Sequence, residues 1–215
     1  MSDVFCIVGA SEVSNSELFV PDGAFVIAAD GGFTTLKKAG ISPDLIIGDF
    51  DSLGEAPKGE NVILSSPEKD DTDTMLAVKK SLEMGAKTLL IYGGLGGRFD
   101  HSLGNIQTLA YIARAGSRGY LIGGGTICTA IMNGGLVFSQ DMKGILSVFS
   151  LSGVSHGVNL KGLKYPLSDH SLYFYEPLGV SNEFIGTKAF VSVDEGVLAL
   201  VWSDSRFDVE KYLPF

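Results

Sequence analysis

Four short apolar runs constrain the fold of this chain more than any other feature. They are VFCIVGA (4–10), FVIAAD (25–30), DLIIGD (44–49) and KTLLIYGG (87–94), each dominated by aliphatic residues and each closing in small or acidic ones. Runs of this length that do not alternate between apolar and polar read as strands covered on both faces, as in parallel sheets. The segments between them carry a helical period. GGFTTLKKAG reads as a short helix ended by Gly40. DTDTMLAVKKSLEMG places Met75, Val78 and Leu82 on one face and stops at Gly85, while HSLGNIQTLAYIARAG offers Leu103, Ile106, Ala110 and Ala113. Between 50 and 69 the residues are loop-like, apart from a short strand in NVILSS at 61–66. Alternating strands and helices predict an open, mostly parallel sheet flanked by helices.

The pattern changes near residue 120. From YLIGGG onward no helical period is visible, and β-rich runs follow, among them LVFSQ, ILSVFSLSG, KAFVSV and VLALVW. Asp194, Glu195 and Gly196 separate the last two and predict a hairpin. The expected architecture is thus an α/β N-terminal domain over residues 1–124, followed by an antiparallel β-sandwich C-terminal domain over 125–215. No internal repeat or low-complexity segment is present.

Composition narrows the partners. An apolar share of 45% supports a packed core, and 25 acidic against 16 basic residues give a formal charge of -9. That balance argues against nucleic acid or an anionic membrane surface as the main partner. Cys6 and Cys128 sit in apolar stretches without a CxxC or His-Cys pattern, so buried, reduced thiols are expected. MSDVFCIVGA lacks the basic leader of a secretory signal, and no run approaches the roughly 18 apolar residues of a membrane span. A cytoplasmic protein is the expectation.

Acidic residues gather at the ends of predicted elements: Asp49 and Asp51 after a strand, Asp70, Asp71 and Asp73 at a helix start, and Asp100 ahead of another helix. Singly, each has a bland explanation in capping or turn formation. Together they exceed what capping needs, because the carboxyl ends of strands in an open parallel sheet line one crevice. Such oxygen donors suit Mg²⁺, which takes one or two carboxylates and completes its shell with water and phosphate. Zinc is disfavoured, since His101, His156 and His170 are scattered and neither cysteine joins them.

YGGLGGRFDH (92–101) supplies the complementary group. Gly93, Gly94, Gly96 and Gly97 let backbone N–H groups approach a polyphosphate, and Arg98 can grip its oxygens with two bonds. A flexible turn with a surface arginine is the plain alternative. Phe99 breaks the dinucleotide pattern G-x-G-x-x-G, and no G-x-x-x-x-G-K-[ST] occurs. The residues alone define a Mg²⁺-dependent enzyme acting on a phosphorylated substrate.

AADGG (28–32), PDLIIGDFDS (43–52), DDTD (70–73), GGLGGRFDH (93–101), GLKYPL (162–167) and GVSNEF (179–184), in that order, resemble the thiamine pyrophosphokinase family. The resemblance implies transfer of the diphosphate of ATP to the thiamine hydroxyl, releasing AMP, in a homodimer with active sites between subunits. It implies that Asp71, Asp73 and Asp100 hold Mg²⁺ and the phosphates, with Asp49 and Asp51 completing the acidic pocket. One of the first three accepts the hydroxyl proton. Gly94, Gly96, Gly97 and Arg98 would stabilise charge moving along the polyphosphate, and Asp30 and Asn105 would line the nucleotide region. His101 would bond a phosphate or orient a neighbour. Ser181 and Asn182 would face the thiamine pyrimidine across the dimer interface, and Tyr165 stands where an aromatic is expected. Two other readings use the same residues: a metal-dependent phosphohydrolase with water as nucleophile, and a nucleotide sensor without turnover.

Overall fold

The structure, a computed structural model, describes residues 2–14, 17–49, 61–64 and 70–203. Strands β1 (Val4–Val8), β2 (Phe25–Ala29), β3 (Leu45–Gly48) and β4 (Val62–Leu64) pair in parallel on one side of the sheet. On the other side β1 pairs with β5 (Thr88–Tyr92), and β5 with β6 (Arg118–Gly123), again in parallel. Three helices accompany them among the described residues: α1 (Gly32–Lys38), α2 (Asp73–Glu83) and α3 (Phe99–Arg114). The expected parallel α/β half is therefore present.

Strand alternation explains how both faces are covered. In β1, Phe5 and Ile7 join Ala77 and Val78 of α2 and Leu109 and Ile112 of α3 in one core. Cys6 and Val8 point the other way, into a core shared with Leu36 of α1. A strand buried on both faces gains hydrophobic contact at every residue, which is why its sequence shows no alternation. Burial raises the thiol pKa of Cys6 and of Cys128 to about 12, and both cysteines are unpaired, as the sequence suggested.

Beyond β6 the pairing becomes antiparallel. Gly124 and Gly125, both at positive φ, turn the chain into β7 (Thr126–Phe138). β8 (Ile145–Ser150), β9 (Val154–Lys161), β10 (Leu167–Tyr173), β11 (Asn182–Glu183) and β12 (Ala189–Ser203) follow, and all these strands join the parallel ones in a single hydrogen-bonded sheet. The two longest, β7 and β12, pair from end to end apart from residues 194–196. Trp202 and Phe138 meet edge to face with ring centroids 5.3 Å apart, and the Phe184 ring, tilted by 58°, lies 5.3 Å from that of Phe138.

Two sequence expectations are corrected. No hairpin forms at 194–196: β12 runs straight through, and Asp194, Glu195 and Gly196 bulge opposite Asn133, between the pairs Val193–Gly134 and Val197–Met132. Gly196 adopts φ +120° and donates its N–H to Asn133 Oδ1 at 2.9 Å, so the glycine marks a bulge rather than a reversal. The buried face of α3 is also rotated from the one expected. Asn105, Thr108, Leu109 and Ile112 point inward, while Leu103 is 52% exposed. Two polar residues can take the inner face because each is satisfied: Asn105 Nδ2 donates to Gly94 O at 2.8 Å, and Thr108 Oγ1 to Gly104 O at 3.0 Å. In α2 the inward positions are Ala77, Val78 and Ser81, with Met75 and Leu82 only half-buried.

Candidate active site

The carboxyl ends of β1, β2 and β5 meet where strand order reverses, on either side of β1, and this is where an open α/β sheet forms its crevice. The ends are locked together: Gly9 N donates to Tyr92 O at 2.8 Å, Ser11 N to Gly93 O at 3.2 Å, and Asp30 N to Ile47 O at 2.8 Å. Asp30 itself holds φ +49°, a conformation that few residues other than glycine adopt.

Three adjoining cavities occupy the crevice. The middle one, about 160 Å³, is walled by Ser11, Asp30, Asp73, Gly93, His101 and Asn105. It shares Thr72, Thr74, His101 and Asn105 with a groove of about 520 Å³ between α2 and α3, whose mouth carries Asp70, Asp71 and Asp100 and whose far end carries Met75 and Tyr111. On its other side it shares Ser11 with a cavity of about 690 Å³ bounded by Glu17, Leu95, Gly96, Gly97, Gly124 and Thr126. The glycine-rich turn thus separates one end of the crevice from the other.

Local structure decides between capping and function for the acidic residues. The N-cap of α2 is Thr72, whose Oγ1 accepts from Met75 N at 3.1 Å, so neither Asp70 nor Asp71 is needed for that purpose. Thr72→Ala should lower the unfolding free energy by about 1 kcal/mol, read by denaturant titration; no loss would show that the cap is dispensable. Asp100 lies in the first turn of α3 and not at its N-cap, which is Arg98.

Two of the expected metal ligands are bound to cations. Asp71 accepts from Lys79 Nζ, two helical turns along α2, and this contact raises the Lys79 pKa. Asp100 receives a two-pronged grip from Arg98, Nε to Oδ1 at 3.2 Å and Nη2 to Oδ2, which holds its carboxyl below the usual range. Asp73 lines the middle cavity together with Asp30, and the groove that holds Asp71 and Asp100 does not include it. Asp49 is half-buried directly after β3, and Asp51 lies outside the described residues. Among the described residues no three carboxylate, imidazole or thiol groups form a ready metal cluster.

The glycine turn lies between β5 and α3. Asn105 holds the turn by its bond to Gly94 O, and Gly96 and Gly97 both adopt positive φ. His101 is exposed and borders the middle cavity and the groove. Ser181 and Asn182 line none of these cavities. Ser181 is exposed at φ +59° with its N–H on Ser147 Oγ at 3.1 Å. Asn182 is buried, and its amide is committed to the backbone of Tyr165, accepting at 2.9 Å and donating at 2.7 Å. Asn182 therefore fixes the position of Tyr165. Sequence reading missed Ser11 and Lys79. Ser11 follows β1, where the crevice rule would have pointed; Lys79 gave no signal beyond helical spacing from Asp71.

A glycine turn flanked by carboxylates at the carboxyl edge of a parallel sheet defines an enzyme of the α/β class built to handle a phosphorylated substrate. The family model for the thiamin pyrophosphokinase catalytic domain matches residues 17–121, and that for the thiamin pyrophosphokinase vitamin B1 binding domain matches 136–198. Over 185 residues the chain is 33% identical to thiamine pyrophosphokinase of Bacillus subtilis, covering 82% of this chain and 86% of that protein. The crystal structure of thiamine pyrophosphokinase from Bacillus subtilis superposes with a TM-score of 0.82 at 29% identity, covering 94% of this chain and 99% of that one. The enzyme from Geobacillus thermodenitrificans gives 0.80 at 25% identity, covering 95% and 99%. The chain belongs to the thiamin pyrophosphokinase family. Nothing in its relatives favours the phosphohydrolase reading.

Proposed function

We propose that the crevice transfers the diphosphate of ATP to the hydroxyl of thiamine. The new bond joins the thiamine oxygen to the β-phosphorus, the bond from that phosphorus to the α,β-bridging oxygen breaks, and AMP leaves with the bridging oxygen. The supporting observation is the row of cavities in which Asp30 and Asp73 share the middle one with Gly93, while Asp71 and Asp100 line the adjoining groove. Attack by an alcohol on a polyphosphate demands in-line positioning and charge neutralisation more than covalent help.

Hard oxygen donors without a soft ligand fit Mg²⁺, which needs no complete protein cage. Asp73 would hold it with Asp71 and Asp100, while Asp30 and Asp49 extend the acidic wall, as would Asp51. The ion would supply charge neutralisation at the phosphoryl oxygens. In this reading Arg98 exchanges Asp100 for phosphate oxygens, a change its exposed position permits, and the N–H groups of Gly94, Gly96 and Gly97 steady the chain of phosphates. One carboxylate of Asp71, Asp73 and Asp100 takes the hydroxyl proton.

The segment 125–215 would take thiamine and form a homodimer. Tyr165, Tyr173, Phe174, Tyr175 and Leu178 are all exposed near Ser181 in sequence, and Tyr173 stacks on Tyr175 at 5.4 Å. Such a concentration of exposed aromatic residues suits burial against a second copy, which would bring Ser181 to a neighbouring crevice. A cytoplasmic setting agrees with two free, buried thiols, and no described helix is long and apolar enough to cross a membrane. Incubation with ATP, Mg²⁺ and thiamine should yield AMP and thiamine diphosphate in equal amounts; thiamine-independent release of inorganic phosphate would overturn the reading. Ser181→Ala should raise the KM for thiamine several-fold, consistent with one lost hydrogen bond of about 1 kcal/mol, and leave that for ATP unchanged. Equal effects on both would remove Ser181 from the thiamine site.

A further inference from the structure

A lysine on an exposed helix ordinarily finds its acidic partner one turn away. On α2 Lys80 does so, donating to Glu83 at 3.3 Å. Lys79 reaches the other way, back across two turns to Oδ2 of Asp71, which precedes the N-cap Thr72. With 38% and 28% of the two side chains exposed, the pair adds little to stability. Capping does not explain it either, because Thr72 Oγ1 already takes the N–H of Met75. What the contact does is fix one oxygen of a carboxylate that lines the groove between α2 and α3. Asp100, in the same groove, has both oxygens taken by Arg98, whereas Asp71 Oδ1 has no partner among the described residues.

We propose that Lys79 is a positioning residue that selects the cation: by holding Asp71 Oδ2 it leaves Asp71 to bind a divalent ion through Oδ1 alone. The inference rests on the reading that Asp71 is one of the carboxylates holding Mg²⁺. Mg²⁺ demands near-ideal octahedral geometry and is satisfied by single oxygens from one or two carboxylates. Ca²⁺ takes more oxygens in a flexible shell and accepts both from one carboxylate. A carboxylate with one oxygen committed therefore favours the smaller ion. The ammonium of Lys79 also repels any ion at Asp71, but it does so equally for two ions of the same charge. Selectivity between Mg²⁺ and Ca²⁺ is thus the property in which the role of Lys79 shows, and outer partners of metal-binding carboxylates commonly tune affinity in this way.

The test is direct binding of Mn²⁺, read from loss of the free-ion electron paramagnetic resonance signal, with Mg²⁺ and Ca²⁺ titrated in as competitors. Wild type, Lys79→Met, Lys80→Met and Asp71→Asn are compared by the ratio of the Ca²⁺ to the Mg²⁺ dissociation constant. In Lys79→Met that ratio should fall about 10-fold, the lower end of what loss of such an outer partner does to metal affinity. Lys80→Met removes the same charge from the same helix and should leave the ratio at the wild-type value. No Mn²⁺ binding in wild type, an unchanged ratio in Lys79→Met, or an equal fall in Lys80→Met would overturn the proposal. Asp71→Asn separates it from the reading on which it rests. Weakened Mn²⁺ binding there, with the ratio unmoved in Lys79→Met, keeps Asp71 at the cation and removes Lys79 from its role; unchanged Mn²⁺ binding in Asp71→Asn removes both. Lys79-dependent selectivity without any conversion of thiamine would sink the proposed reaction and leave the role of Lys79 standing.

Discussion

Replacing Asp73 by asparagine should lower diphosphate transfer at least about 100-fold, equivalent to about 2.7 kcal/mol of transition-state stabilisation, with the fold intact. Asp73 stands in the first turn of α2 and lines the middle cavity with Asp30, where the phosphates and their cation are proposed to lie. Asparagine keeps the size but discards the charge on which metal positioning depends. The structural cost is small, since a carboxylate near a helix N-terminus contributes only about 0.3–1 kcal/mol through the helix dipole. The two effects can be separated: turnover is measured at saturating ATP and thiamine, and the melting temperature should move by no more than roughly 4 °C. Near-normal turnover with a normal melt would remove Asp73 from the machinery. Asp71→Asn is expected to act in the same direction, and it also strands Lys79 without its partner.

The second large effect is structural. Gly32→Ala should destabilise the protein by roughly 3 kcal/mol or more, or prevent accumulation of folded material. A Cβ at residue 32 would overlap the carbonyl oxygen of Val8, and neither group can move alone. Gly32 opens α1, and Val8 closes β1. The methyl group would push the helix away from the sheet at the crevice, where Gly9 and Ser11 are bonded to Tyr92 and Gly93. Chemical denaturation compared with Gly40→Ala, where no atom lies within 4 Å but φ is +71°, would separate overlap from backbone preference. Equal losses in the two variants would show that close approach is not what Gly32 provides.

Much of this fold is legible in the sequence because the parallel strands are buried on both faces and carry continuous apolar runs. β1, β2, β3 and β5 lie inside VFCIVGA, FVIAAD, DLIIGD and KTLLIYGG. The antiparallel half is harder to read. β9, VSHGVNLK, mixes buried and exposed positions and holds His156 and Gly157 in mid-strand. The Asp-Glu-Gly signal in β12 serves a bulge as well as it would serve a hairpin, and only the continuous partner β7 decides between them. On α3 the inward face contains Asn105 and Thr108, whose partners are backbone carbonyls that no periodicity reveals. The crevice was legible as a set of carboxylates and glycines at element ends. The pairings of Asp71 with Lys79 and Asp100 with Arg98 were not, because side-chain direction and reach choose those partners.

β7, at the edge of the parallel sheet, pairs with β12 on both sides of the bulge at 194–196, and β12 pairs in turn with β8 and β9 of the antiparallel half. A hinge between the two halves would have to tear this two-stranded beam, so substrate capture falls to the loops around the crevice and not to rigid-body closure. The beam also ties the halves into one cooperative unit: a scanning calorimeter should record one endotherm, and well-separated endotherms would mean that the halves come apart independently.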